Sequence, residues 1–121
     1  MPRPVVVLPR APAVNNKTVA AGTSVVLMNA IEVNPDCSLI GLPVLRVVQA
    51  PTHGTVSISE QYGFPSYPRD NVRSACNTVR VPSNVAQYTP TPGFVGSDFV
   101  AMESISAMGS DMQAKFAITV K

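Results

Sequence analysis

Turn-forming residues divide this chain of 121 residues into segments of strand length. Glycine or proline falls within residues 21–23, 51–54, 90–93 and 108–109, where proline fixes φ and glycine allows the positive φ of tight reversals. No apolar repeat of 3.6 residues is sustained between these turns, whereas residues 111–121 alternate apolar and polar side chains. The pattern predicts seven strands, at about 17–20, 24–30, 43–50, 54–59, 84–89, 98–106 and 111–121, and so a two-sheet, all-β sandwich.

Two segments interrupt this regular spacing. Residues 1–14 form a Pro-rich N-terminal arm, which we expect to be extended or to add an edge strand. Residues 15–121 then form one sandwich domain, since a single core suits this length. Within the domain, residues 60–83 are an insertion without clear periodicity, and connections of this length are usually functional or disordered.

The two cysteines, Cys37 and Cys76, indicate the compartment. Each lies among turn-forming residues (NPDCS and RSACN), where a buried structural thiol would be out of place. A disulfide that closes this loop would stabilise the fold by roughly 4 kcal/mol, would anchor the insertion and requires an oxidising compartment. We therefore expect a secreted or periplasmic protein whose signal peptide has been removed. The alternative is two free buried thiols in a cytosolic protein.

Charge and composition argue against several functions. The net charge of +2 comes from basic residues that form no run able to follow a phosphate backbone, so nucleic acid is not an expected partner. No apolar segment reaches the ~20 residues of a membrane span. The sole histidine is His53, the carboxylates are scattered, and no phosphate-binding glycine loop occurs. We expect no enzyme, no metal site and no cofactor.

Two motifs resemble a known family. Residues 51–56 read PTHGTV and residues 88–98 read YTPTPGFVGSD. They are similar to the Pro-x-His-Gly-Thr turn and the Tyr-x-Pro-x-x-Gly-Phe-x-Gly-x-Asp corner of bacterial immunoglobulin-like and cadherin-like repeats of surface proteins. The resemblance covers about residues 43–106 and implies an immunoglobulin-like β-sandwich of about seven strands. The single copy, the cysteine pair and the insertion depart from the pattern, and the acidic clusters that bind calcium between cadherin repeats are lacking.

The resemblance also implies structural roles for four residues of these motifs, Gly54, Tyr88, Phe94 and Asp98. Phe94 is expected to plug the open end of the sandwich, with the glycines beside it letting the backbone curl over the ring. Asp98 is expected to cap backbone amides at the turn into the next strand. These assignments concern the fold and say little about a ligand.

The insertion concentrates the side chains that dominate binding sites. Its aromatic and basic residues are Tyr62, Phe64, Tyr67, Arg69, Arg73 and Arg80. One interpretation is a non-catalytic binding module that contacts a protein or an anionic glycan of the cell envelope through residues 60–83. The other is that the aromatic rings fold back over the sandwich, while the arginines pair with Asp70 or cap backbone carbonyls.

Self-association is the alternative function. Phe99 is out of phase with the inward positions of Val100 and Met102, so it is expected on an outer face. An edge strand or the N-terminal arm would then complete the sheet of a second copy in a homodimer.

Overall fold

The computed structural model describes residues 13–121, which form two β-sheets. The strands are β1 (Val14–Val19), β2 (Val25–Ala30), β3 (Val44–Gln49), β4 (Gly54–Gly63), β5 (Val81–Pro90), β6 (Gly96–Ile105) and β7 (Asp111–Val120), with a 3₁₀ helix at Ser74–Thr78. One sheet has the order β1-β7-β6-β3 and the other β2-β5-β4. Paired strands are antiparallel, except that β1 runs parallel to β7. This confirms the predicted all-β sandwich of about seven strands. The N-terminal arm falls mostly on residues outside those described.

The main core lies between the two sheets, where strand alternation places it. Phe116, Ile118 and Val120 of β7 are buried against Tyr88 of β5 and its neighbours. Burying one such side chain fully contributes about 1.5–3 kcal/mol. Met112 belongs to the same face of β7 but is 58% exposed. The buried face predicted for this strand is therefore covered only towards its C-terminal end.

A second, smaller cluster lies on the outer face of the three-stranded sheet. Val33, Cys76 and Val81 are buried there, and Tyr67 packs against them. The predicted disulfide between Cys37 and Cys76 is confirmed, with the two Cα atoms 5.5 Å apart. It joins the β2–β3 connection to the β4–β5 connection, so the long connection is packed on the sheet.

Strands β4 and β5 are longer than the sequence predicts. Residues 60–63 and 81–83, predicted as the ends of the insertion, pair with the opposite strand from Glu60↔Asn84 to Gly63↔Val81. The connection therefore spans residues 64–80. The end of β4 is exposed from Ser57 to Tyr62, and a solvated edge strand needs no apolar alternation. This is why the periodicity did not reveal it.

Phe99 does not occupy the exposed position predicted for it. It is half-buried in β6 and pairs with Ala117 of β7. The pairing of β3 with β6 ends at Gln49↔Ala101, so Phe99 is flanked by β7 alone and stays partly accessible.

Candidate functional site

A hydrogen-bond network links the two sequence motifs at one end of the sandwich. Asp98 is 7% exposed. Its Oδ1 accepts from the N–H groups of Thr52 at 3.1 Å and Phe99 at 2.9 Å, and its Oδ2 accepts from the N–H of His53 at 3.0 Å and the hydroxyl of Tyr88 at 2.7 Å. The carboxylate therefore caps the turn before β4 and ties it to β5. The sequence predicted a cap at the turn into the strand of Asp98 itself, where only the N–H of Phe99 donates to it. We call this group, with Gly54 and Phe94, the Asp98 corner.

The charge states of the Asp98 corner follow from this network. Burial acts to raise the pKa of Asp98, but the hydrogen bonds from Tyr88 and from backbone N–H groups outweigh it and hold the pKa below its ordinary value. Burial and the nearby carboxylate raise the pKa of Tyr88 above its ordinary value. Since structural donors occupy both carboxylate oxygens, Asp98 serves as a cap and has no oxygen left for a general base.

Gly54 and Phe94 complete the Asp98 corner. A Cβ at Gly54 would lie 2.5 Å from Cε2 of Tyr88, so the close approach of strand and ring requires glycine. The ring of Phe94 stacks on the imidazole of His53, with centroids 4.2 Å apart and planes 7° apart. Phe94 is half-buried against the core, so it covers this end of the sandwich without being enclosed by it.

Two of the six aromatic and basic residues proposed for binding hold the connection in place. Tyr67 packs on the second cluster, and its backbone N–H and C=O each form a 2.9 Å hydrogen bond with the side chain of Asn77. Nε of Arg73 donates to the carbonyl of Val33 at 2.7 Å. These contacts match the interpretation in which aromatic rings fold back and arginines cap carbonyls.

The other four lie towards solvent. Tyr62 is 66% exposed and Phe64 is 53% exposed. The guanidinium carbon of Arg80 lies 5.9 Å from the centroid of the Tyr62 ring, within the range of a cation–π contact. Arg69 is exposed further along the same connection. We call Tyr62, Phe64 and Arg80 the aromatic surface.

Strand pairing positions the aromatic surface. Tyr62 lies opposite Pro82 at the end of the β4–β5 ladder, and Arg80 directly precedes β5. Phe64 is the first residue after β4, beside the connection that the disulfide anchors. Tyr62 is therefore held by a regular strand, where the sequence predicted a loop, and Phe64 and Arg80 directly adjoin the ends of the same ladder.

A cleft of about 580 Å³ opens between the sheets at the end opposite the Asp98 corner. This volume lies within the ~300–1,000 Å³ typical of ligand pockets. Its walls are the inward faces of β1 and β7 and the edge of β2, with lining residues that include Asn15, Lys17, Leu27, Met28, Asn29, Ala30, Met112, Ala114 and Phe116.

Sequence reasoning missed this cleft. The available signal was β1, where Asn15 and Lys17 share the inward phase of buried Val19, so the strand places polar side chains between the sheets. Residues 13–121 contain no group of three or more His, Cys, Asp or Glu side chains suited to a metal ion. The same residues include no helix long and apolar enough to cross a membrane.

Comparison with known proteins gives little further information. No family model matches the chain, and neither does any curated protein. A similar solved structure is the solution structure of Amebosin, with a TM-score of 0.42 and 11% sequence identity over 92% of this chain and 100% of that chain. A similarity this low carries no argument about function.

Proposed function

We propose that this protein is a non-catalytic, immunoglobulin-like binding module that contacts its partner through the aromatic surface and Arg69. The observation that carries this proposal is the exposed pair of Tyr62 and Arg80, held in mutual contact at the end of an ordered strand ladder. Tyr and Arg are the residues most enriched at binding hot spots. Of the contact residues predicted within 60–83, we leave out Tyr67 and Arg73, because both already have structural partners.

Restricted mobility favours binding at this position. The β4–β5 ladder fixes Tyr62, and the disulfide and the second cluster hold the connection that follows Phe64. A backbone that is ordered before binding loses less conformational entropy when a partner arrives. A given contact area therefore yields more affinity here than on a free loop.

The chemistry of the surface suggests the class of partner. Arg69 and Arg80 supply positive charge, and the rings of Tyr62 and Phe64 supply flat apolar area. Carboxylate or sulfate groups beside sugar rings or apolar side chains complement this combination. We propose a protein or an anionic glycan of the cell envelope as the partner. The disulfide and the two sequence motifs support a secreted or periplasmic, bacterial setting.

A glycan array and a pull-down from envelope extracts test the proposal. Tyr62→Ala and Arg80→Ala are each expected to weaken binding of the captured partner about tenfold, since hot-spot truncations cost more than about 1 kcal/mol. Raised salt should weaken binding further if the partner is anionic. Met108→Ala is the matched control, because Met108 is 76% exposed on the β6–β7 turn. Unchanged binding by both surface variants would contradict the proposal.

A self-associating module remains the second candidate. Phe99, which motivated it, is half-buried, but the edge strand β3 exposes Val44 by 53% and Val48 by 52%. An edge strand with exposed valines is suited to pairing with a second copy. A dimer in sedimentation velocity that Val48→Lys dissociates would favour this alternative.

A further inference from the structure

We propose that the cleft binds an extended peptide segment of a partner protein, which adds as a strand to the outer edge of β2 and places an acidic side chain near Lys17. The cleft lies apart from β4 and Arg80 and does not depend on the aromatic surface. Strand addition of this kind combines main-chain hydrogen bonds with pockets for alternate side chains.

The lining of β2 indicates the main-chain part of this interaction. Four consecutive residues, Leu27 to Ala30, line the cleft. A β-bulge between Val26 and Met28 takes Leu27 out of the regular alternation, but Met28, Asn29 and Ala30 pair with β5 in unbroken register. Because successive side chains of a strand point to opposite faces, a cleft lined by these three residues in a row reaches both faces and runs along the edge of the strand. Within residues 13–121, β2 pairs only with β5, so its other edge offers unpaired N–H and C=O groups. An extended peptide satisfies such groups, whereas an acyl chain does not.

The opposite wall indicates the side chains of the peptide. β7 lines the cleft with alternate residues, Met112, Ala114 and Phe116, which are its inward face. Met112 is 58% exposed although it continues the buried face of the strand. An added strand would direct every second side chain onto this apolar wall. The segment should therefore carry apolar residues at alternate positions.

The charges in the cleft indicate the acidic residue. Lys17 lines the cleft, is half-buried on the inward face of β1 and makes no ion pair within the described part of the chain. Glu32, the other charged residue of the lining, already accepts a hydrogen bond from the hydroxyl of Ser106 and one at 2.8 Å from the N–H of Ala107. The cleft therefore presents a cation without an ion-pair partner in residues 13–121, beside a carboxylate that is already held by two donors, and a carboxylate of the peptide complements Lys17.

Titration of the ¹⁵N-labelled full chain with a capped peptide, DVTVTVD, tests the proposal. Valine at alternate positions supplies the apolar face, and an acid at each end allows either strand direction. We expect the amide signals of β2 to shift and its backbone to gain protection from hydrogen exchange. A peptide N-methylated at alternate residues should bind at least tenfold more weakly, because it lacks the N–H groups that strand addition needs.

Charge reversal tests the role of Lys17. Lys17→Glu should weaken binding of DVTVTVD about fivefold, and the peptide KVTVTVK should recover that loss against the variant. Lys121→Glu is the matched control, because Lys121 is exposed and does not line the cleft. A variant that retains the unbound β2 spectrum remains folded, which separates loss of binding from loss of structure.

Three outcomes would overturn the proposal. The first is the absence of β2 shifts with either peptide, and the second is equal binding by the N-methylated peptide. The third is that a peptide of residues 1–12, which contains the apolar run VVVL, binds the cleft while DVTVTVD does not. That result would make this chain, or a second copy of it, the source of the strand in place of a partner protein.

Discussion

The two ends of the sandwich differ in how many of their polar groups have a hydrogen-bond or ion-pair partner. At the Asp98 corner both carboxylate oxygens are occupied, and the ring of Tyr88 fills the space above Gly54. At the other end, Lys17 lies between the sheets without an ion pair in residues 13–121, and the outer edge of β2 has no described partner strand. One end is thus closed by specific contacts, while the other retains groups able to bind.

The features on which the binding proposals rest lie at the end of the sandwich opposite the Asp98 corner. The aromatic surface and the disulfide lie where β4 ends and β5 begins, and the cleft opens at the same end of the sandwich between β1, β2 and β7. Asn29 and Ile31 border both the cleft and a smaller pocket beside Phe64. Binding residues often lie on loops that a rigid scaffold positions, and the binding role that we propose for this end would follow that arrangement. The following predictions test this division.

Loss of the disulfide should have the largest effect. Replacing Cys37 and Cys76 by alanine is expected to lower the free energy of unfolding by about 4 kcal/mol in the chain-entropy model, for a separation of 39 residues. Denaturant midpoints measure this loss, and a reductant should lower the midpoint of the wild type but not that of the variant.

Hydrogen exchange can show where that loss falls. Protection from hydrogen exchange should decrease first in residues 64–80. The N–H groups of Thr52 and His53, which donate hydrogen bonds to Asp98, should exchange only with global unfolding. If the Asp98 corner loses protection as early as residues 64–80 do, the two ends unfold together, which would contradict the difference between them.

The closed end was largely predictable from the sequence. The resemblance of residues 51–56 and 88–98 to a known repeat family implied structural roles for Gly54 and Asp98, and an aspartate beside a turn often caps backbone amides. The network partners Thr52 and Phe99 could not be, because they contribute backbone N–H groups that any residue supplies. The stacking of Phe94 on His53 likewise depends on how two turns meet in space.

The other end was only partly predictable. The disulfide followed from the settings of two cysteines, but composition alone could not separate structural Tyr67 from exposed Tyr62. The two tyrosines differ in exposure because β4 extends to Gly63. Tyr62 therefore pairs with β5, whereas Tyr67 lies beyond the strand and packs on the second cluster. The inward phase of Asn15 and Lys17 was the available signal for the cleft, but the exposure of Met112 on the inward face of β7 could not be predicted from the alternation of that strand.

Gly54→Ala should give the next largest effect. The added Cβ would lie 2.5 Å from Cε2 of Tyr88 and 2.7 Å from the carbonyl oxygen of Thr89, so ring or strand must move, at a cost of about 2 kcal/mol. Gly63→Ala is the matched control at the other end of β4, where the nearest atom, Oγ of Ser83, lies 3.4 Å away.

The control is expected to change stability by less than about 0.5 kcal/mol, because the new methyl group meets ordinary contacts. Thermal or denaturant unfolding of the two variants provides the measurement. Equal costs at both glycines would mean that the two ends are packed alike.

The smallest expected effect is a change in the free energy of unfolding at acidic pH. The pKa of Asp98 is lower in the folded protein than its ordinary value of about 3.9, so the folded state binds a proton less readily than the unfolded state. The contribution of Asp98 to stability is therefore complete above about pH 4 to 5 and is lost as the pH falls through the folded pKa. The free energy of unfolding should decline below about pH 4. Asp98→Asn should be less stable at pH 7 and should show a shallower decline.

Asp36 provides the comparison from the other end of the sandwich. Hydrogen bonds from the hydroxyl and the N–H of Ser38 lower the pKa of Asp36 as well, but this carboxylate is fully exposed in the connection that carries Cys37. Water can replace those donors when the local turn opens, so protonation of Asp36 need not affect the core. We expect Asp36→Asn to retain most of the acid dependence of the wild type. If Asp36→Asn flattens the profile and Asp98→Asn does not, the carboxylate that matters for stability lies at the open end, and the Asp98 corner is not the rigid part of the fold.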